Sequence, residues 1–205
     1  MNVFYNALFK KLDYLAEHPE KVSQKEADAL DKVYGLLEKV LGISESGKWC
    51  VEWKVDKYED EKSYKLNKPY ATELAKQNVI LNTGAEQMLK VVCGISADAY
   101  DTANAKIGVG TSTTSENASQ TGLVATSREV AYKQMEVGYP KVNGRTMVFK
   151  SVFGEEDANF AWNEFTVVNG TGVGGIALNR KVQALGTKTT GIWSIQITIT
   201  VSSNT

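Results

Sequence analysis

The sequence predicts a mainly β chain of the α+β class, an N-terminal helical hairpin followed by an antiparallel β-sandwich. Three observations carry this. In the run "IWSIQITITV" (Ile192 to Val201), Trp193, Ile195, Ile197, Ile199 and Val201 alternate with Ser194, Gln196, Thr198 and Thr200, which is the two-residue period of a half-buried strand. From Asn104 onward, short runs of this kind recur between Gly, Asn and Ser/Thr turn signals, as in sheets that keep one wet face. Residues 1–42 instead space their apolar residues at the period of an amphipathic helix.

In the first helix Phe4, Tyr5, Leu8, Phe9, Leu12 and Leu15 share one broad stripe, with Asn6, Lys10, Asp13 and Glu17 opposite. His18-Pro19 ends it, because the residue before proline is pushed out of the helical region. "SQKE" reads as a capping box, with Ser23 accepting from an early backbone N–H and Glu26 reaching back to the Ser23 amide. Ala27, Leu30, Val33, Tyr34, Leu37, Val40 and Leu41 form the second stripe, and Gly42 stops it. Two helices of this size bury too little surface to stand alone. Their apolar faces are expected to dock on each other and on something further: the rest of the chain, a sister subunit or a partner. Residues 1–42 are therefore read as an anchor or oligomerisation module, with Phe4, Leu8, Leu12, Leu15, Leu30 and Leu37 as its candidate interface.

Residues 43–103 are read as a strand, an extended arm and a short helix, integrated with the sandwich. In "WCVEWKV", Trp49, Val51, Trp53 and Val55 share one face, and Cys50, Glu52 and Lys54 the other. "DKYEDEKSYKLNKPY" mixes dense charge with tyrosines and reads as an exposed, extended connection. "TGAE" (Thr83 to Glu86) reads as a capping box opening a helix through Met88, Leu89, Val92 and Cys93, closed by Gly94.

Residues 104–205 are the predicted sandwich. Strands are expected at Ile107 and Val109, at Val130 to Met135, at Thr146 to Phe153, at Asn159 to Val168, at Ile176 to Ala184 and at the C-terminal run. Thr111 to Gln120 reads as a polar loop. "VNGR" (Val142 to Arg145) signals a hairpin, since Asn-Gly tolerates the positive φ angles of a type I′ turn. Trp193, Ile195, Ile197 and Ile199 are expected to fill the core with Phe149 and Trp162.

Composition narrows the function. The 205 residues are 42% hydrophobic and 23% charged, a globular composition. With 23 basic and 24 acidic residues the net charge is -1, which argues against the basic face of a general nucleic-acid binder. No run approaches the roughly 20 apolar residues of a membrane span. The N-terminal lysines follow the apolar residues, the reverse of a secretory signal. Cys50 and Cys93 form no CxxC pair and read as small, partly buried hydrophobes in a reducing cell; a bridge between them stays open.

Catalytic signals are thin. His18 is the single histidine, so a multi-histidine zinc site is impossible and a Ser-His-Asp triad would need His18 itself. It reads as a surface residue at a helix C-terminus. "GTGVGG" (Gly170 to Gly175) lacks the Gly-Lys-Ser/Thr ending of a phosphate loop and reads as a hairpin turn. "EED" (Glu155 to Asp157) lacks the spaced pattern of a calcium loop and reads as an acidic turn. Glu164 stands between Trp162 and Phe165 with no histidine nearby and no second carboxylate at fixed spacing. It reads as a structural or interface residue, a strand carboxylate facing water or a neighbouring subunit. The four tryptophans read as core rather than as sugar-stacking platforms. No enzyme activity, cofactor or metal is expected.

Three segments carry a resemblance: "NAKIGVGTSTTSENASQTGL" (Asn104 to Leu123), "GYPKVNGRTMVFKSVFGEEDANFAWNEFTVVNG" (Gly138 to Gly170) and "LNRKVQALGTKTTGIWSIQITITVS" (Leu178 to Ser202). In order and wording they resemble a group of virion proteins of tailed bacteriophages. The shared features are the "IGVG" strand, the "QTGL" loop, the "GYP" turn, the "FGEEDANFAWNE" run and "LNRKV…LGTK" before a final Thr/Ile strand. They span about half of the chain; residues 1–42 lie outside them. The resemblance implies a structural role with no catalytic residues: a head decoration protein or a fibre or collar-base protein on the particle exterior. It implies other virion proteins (capsid, neck or tail) as partners, a homo-oligomer, and location in the virion after synthesis in the bacterial cytoplasm. Nucleic acid and membrane are not expected partners. The alternative is a carbohydrate-binding sandwich that attaches to a host-surface glycan through exposed aromatics.

Overall fold

Two long strands in which apolar and polar residues alternate, from Trp49 to Val55 and from Trp193 to Val201, organise this protein. A computed structural model describes residues 48–95 and 98–202. The predicted helices of residues 1–42, and with them Phe4, Leu8, Leu12, Leu15, His18, Leu30 and Leu37, lie outside the described residues. The chain divides into two units, of which Lys48–Ser202 is the one described.

β1 (Lys48–Tyr58) and β10 (Ile192–Ser202) pair antiparallel along their whole length, Lys48 opposite Ser202 and Tyr58 opposite Ile192. This register sets Val51, Trp53 and Val55 opposite Ile199, Ile197 and Ile195 on one face. A slip of one residue would turn every one of them to the other side. β2 (Ala71–Lys76) adds to the outer edge of β1, and β7 (Thr146–Phe153) pairs with the free side of β10. β6 (Lys141–Asn143) completes a five-stranded sheet of order β2-β1-β10-β7-β6.

The second sheet has the order β3-β9-β8-β4-β5. Its strands are β3 (Val79–Ile80), β9 (Asn179–Val182), β8 (Glu164–Val168), β4 (Lys106–Gly110) and β5 (Val130–Gln134). Every pairing among the described strands is antiparallel. Ile107, Val109, Phe165 and Val167 from this sheet share one buried core with Trp53, Phe149, Ile195 and Ile197 from the first. The Trp53 and Phe165 rings meet edge-to-face at 4.7 Å across the gap. Trp162 joins the core through Phe153 and Trp193, at 4.8 and 4.9 Å. These are aromatic geometries that add to plain area burial.

Several local expectations are corrected. The charged stretch after Val55 is not an extended arm: β1 continues to Tyr58, and a short α1 (Glu61–Lys65) follows, capped reciprocally by Asp60 and Ser63. Charge misleads here because Lys57 is buried, its ammonium donating to the Leu185 carbonyl at 2.5 Å and lying over the Trp193 ring. The second helix, α2 (Asn82–Val92), starts before "TGAE", with Leu81 at its N-cap and no side-chain cap. Gly84 is needed for packing instead, since a Cβ there would collide with the backbone of Leu178. Gly94 does end α2: its N–H reaches Val91 and that of Ile95 reaches Lys90, a Schellman closure.

The "VNGR" hairpin forms, but Asn143 pairs with Thr146, so Gly144 and Arg145 are its central residues. Only Gly144 takes a positive φ, +56°, the pattern of a type II′ rather than a type I′ turn. The strand expected over Asn159 to Val168 shortens to β8, and that over Ile176 to Ala184 shortens to β9. Before β8 the backbone is used otherwise: Trp162 exchanges hydrogen bonds with Gly186 and Leu185.

Candidate functional site

Glu164 begins β8, and its side chain is fully buried. Glu164 therefore does not face water, and its burial agrees with the structural role expected of it. Its Oε2 accepts from Arg180 Nε at 2.8 Å and Nη2 at 2.7 Å. The carboxylate also accepts the backbone N–H groups of Val124 at 3.0 Å and Ala125 at 2.8 Å. Arg180, on β9, spends its remaining donors on Gln120 Oε1 and the Thr114 carbonyl, both at 2.9 Å. A buried ion pair is sustained only when its other lone pairs and protons are satisfied, and the polar loop after β4 supplies those partners. Ser/Thr-rich residues 111–126 are thereby clasped onto the sheet.

The motifs of the sequence resemblance converge on this clasp. "AWNE" supplies Glu164, "LNRKV" supplies Arg180 and "QTGL" supplies Gln120. The glycines of "IGVG" make room for it. A Cβ on Gly110 would stand 2.6 Å from Glu164 Oε1, and one on Gly108 would stand 2.5 Å from the Tyr132 ring. Burial first, and then the nearby Glu164 charge, push the Tyr132 hydroxyl above its ordinary pKa. Asn179, beside Arg180, accepts the Val167 N–H at 2.9 Å and fixes β9 against β8. Glu164 and Arg180 are thus paired with each other and bonded to the loop that follows β4.

A second buried cation holds the acidic turn. Lys188 Nζ donates to the Gly154 carbonyl and to Asn159 Oδ1, both at 2.7 Å, and to the Glu155 carbonyl at 3.2 Å. Burial lowers its pKa against the pull of Asp157, Glu156 and Glu155. The "EED" turn is thus tied by its backbone, while Asp157 accepts from Gly154 N–H and from Lys133.

The described surface carries one feature of the opposite kind. An apolar groove of about 680 Å³ runs between α2, the start of β1 and the β6–β7 hairpin. Trp49, Leu89, Val92 and Val142 line it and are exposed, Val92 by 84%. Its lining has no charged side chain. The Tyr100 hydroxyl in it is buried without a hydrogen-bond partner, which costs free energy as long as it stays unpaired. Contiguous exposed apolar surface of this kind marks interaction sites.

Three of the four tryptophans, Trp53, Trp162 and Trp193, are core residues; Trp49 is the exception, 40% exposed in the groove. Cys50 and Cys93 are both exposed and free rather than partly buried. Cys50 falls on the outer face of β1, and Cys93 caps α2. Among the described residues no three His, Cys, Asp or Glu side chains come together as a metal cage, and no helix is long and apolar enough to cross a membrane.

Sequence reasoning does not single out Arg180, Gln120, Lys57 or Lys188. Arg180 closes a run of four buried residues and Lys188 is a single buried position among exposed neighbours, and neither setting shows in the linear pattern. No family model, curated protein or solved structure matches the chain.

Proposed function

We propose that this chain is a structural protein of the tailed-bacteriophage virion, bound on the particle exterior as a head decoration or at the base of a fibre or collar. It acts by subunit-subunit binding and carries out no catalytic step. The observation that carries this reading is the apolar groove. Exposed Trp49, Leu89, Val92 and Val142 surround a lining without charge, the composition of an interface core rather than of a catalytic cleft. Its occupant in this reading is a neighbouring virion subunit whose apolar face covers the groove and offers one acceptor or donor to the Tyr100 hydroxyl. The sequence resemblance supports the same reading, because its motifs converge on a scaffold-type clasp. Residues 1–42, whose sequence predicts two amphipathic helices, supply the second anchor in this reading.

The test is incorporation into particles. Val92→Asp places a charge in the groove at a residue with few contacts of its own, so melting should stay unchanged while occupancy on the particle falls several-fold. Deletion of residues 1–42 should leave Lys48–Ser202 folded and abolish incorporation. Normal occupancy for both variants would reject the assignment.

A further inference from the structure

A second, polar pocket of about 280 Å³ lies at the far end of β1, lined by Tyr70, Glu59, Thr187, Thr189, Thr190 and the inner wall of Trp193, among others. Tyr70 is 58% exposed, and the three threonines and Glu59 are exposed as well. No hydrogen bond or ion pair with another described residue engages the three threonine hydroxyls or the Glu59 carboxylate. The Trp193 indole N–H is buried and has no acceptor. These groups surround one aromatic ring and are open to a ligand.

The segment that displays the threonines is held rigidly. Lys57 Nζ bonds the Leu185 carbonyl at its start. Lys188 alternates with Thr187 and Thr189 and sends its buried ammonium inward to Gly154, Glu155 and Asn159. At the far end Gly191 has a φ of +74° and packs so closely on the Tyr58 carbonyl that no Cβ fits. Burying two lysine ammonium groups costs free energy, and the return is a loop fixed before any ligand arrives. Preorganisation of this sort lowers the ordering cost of binding.

The chemistry of the lining selects the ligand. No basic side chain lines the pocket and Glu59 repels anions, so a phosphate or carboxylate is unsuited. A single carboxylate is too few ligands for a divalent cation. Hydroxyls that both donate and accept, one carboxylate acceptor and an exposed aromatic face suit a polyhydroxylated ring with one apolar side. We propose that this pocket is a saccharide subsite that takes a neutral pyranose, its C–H face on Tyr70 and its hydroxyls bonded to the threonines and Glu59. The proposal does not rest on the virion assignment: Val92→Asp in the groove should leave sugar binding intact, and Tyr70→Ala should leave particle incorporation intact.

The experiment is saturation-transfer NMR and calorimetry of the full chain with neutral mono- and disaccharides, offered free and as the terminal units of immobilised polysaccharide. Saturable binding is expected in the range of about 1–10 mM for at least one free sugar, typical of a single small polar site. Tyr70→Ala should weaken it roughly tenfold or more, about one stacking contact. Thr190→Val, which keeps the shape and removes the hydroxyl, should weaken it several-fold with unchanged melting. Absence of saturable binding to every sugar in both forms, or binding that Tyr70→Ala and Thr190→Val leave untouched, would overturn the proposal.

Discussion

Glu164 and Arg180 form an ion pair from which water is wholly excluded, with 2.7 Å between Oε2 and Nη2 and both side chains at 0% exposure. The pair joins neighbouring strands β8 and β9, and through the Val124 and Ala125 amides it also holds a loop that follows β4. Its role is to fix that loop, because a loop of serines, threonines and asparagines has little apolar surface with which to hold itself in place.

Glu164→Gln tests this directly. The substitution keeps the shape, leaves the Arg180 charge buried without its counter-ion, and should destabilise by about 3–5 kcal/mol. Chemical denaturation measures it. A water-facing strand residue would instead show a change of less than about 0.5 kcal/mol. The double variant Glu164→Gln with Arg180→Met should recover part of the loss, since the orphaned charge is then gone, and the cycle isolates the coupling.

Gly110→Ala adds a single methyl group beneath the same carboxylate. With Glu164 Oε1 at 2.6 Å from the new Cβ, the carboxylate must move off its amide donors. Loss of about 1–3 kcal/mol is expected, the usual scale of overpacking, with the loop amides of Val124 and Ala125 exchanging hydrogen faster than in the parent protein. Unchanged protection of those two amides would argue that the loop is held by other means.

Much of this architecture is legible in the sequence wherever alternation is long. β1 and β10 are readable because eleven-residue strands repeat the apolar period often enough to fix their inner face. The buried charges are not readable. Lys57, Glu164, Arg180 and Lys188 look wet in a linear pattern, since the carbonyls and amides that satisfy them come from loops distant in the chain. The groove is equally hidden: Trp49, Leu89 and Val142 belong to three separate elements and meet only in the fold. The hairpin at Gly144 shows a finer limit, because "VNGR" announces a turn while the pairing register decides which two residues occupy its centre.

Asp157 gives the protein part of its acid sensitivity. Burial is the largest influence on it and raises its pKa, but the hydrogen bonds from Lys133 and Gly154 and the charges of Lys133 and Lys188 outweigh this and hold it below 3.8. A carboxyl depressed in the folded state contributes stability that is present above its unfolded value and lost as pH falls through the folded one. Asp157→Asn should therefore be less stable than the parent near neutrality, and the gap should close as pH drops below about 4. The gap itself is expected below about 1 kcal/mol, because the pair with Lys133 is partly exposed and screened. Melting curves across the acid limb check this; a gap independent of pH would assign the loss to packing.

Two leucine-sized side chains separate the part of this molecule that holds it together from the part that is free to bind. Ile197 is fully buried and stands between Trp53 on β1 and Phe149 on β7. Leu89, on α2, is 67% exposed in the groove. Truncating a buried aliphatic side chain loses its transfer free energy and leaves a cavity, so Ile197→Ala should cost about 2–5 kcal/mol, a large share of the roughly 5–15 kcal/mol that stabilises a domain. Leu89→Ala removes surface already in contact with water and replaces leucine by a residue of higher helix propensity, so its stability should change by less than about 0.5 kcal/mol. Binding should respond in the opposite order. In the proposed virion role, at temperatures where both variants remain folded, Ile197→Ala should join particles at normal occupancy and Leu89→Ala should not, because only the second thins the apolar surface that a neighbouring subunit would cover. Thermal melting paired with occupancy on purified particles reads both quantities. If Leu89→Ala melts well below the parent, α2 depends on that side chain for its own packing and the groove is part of the fold's support.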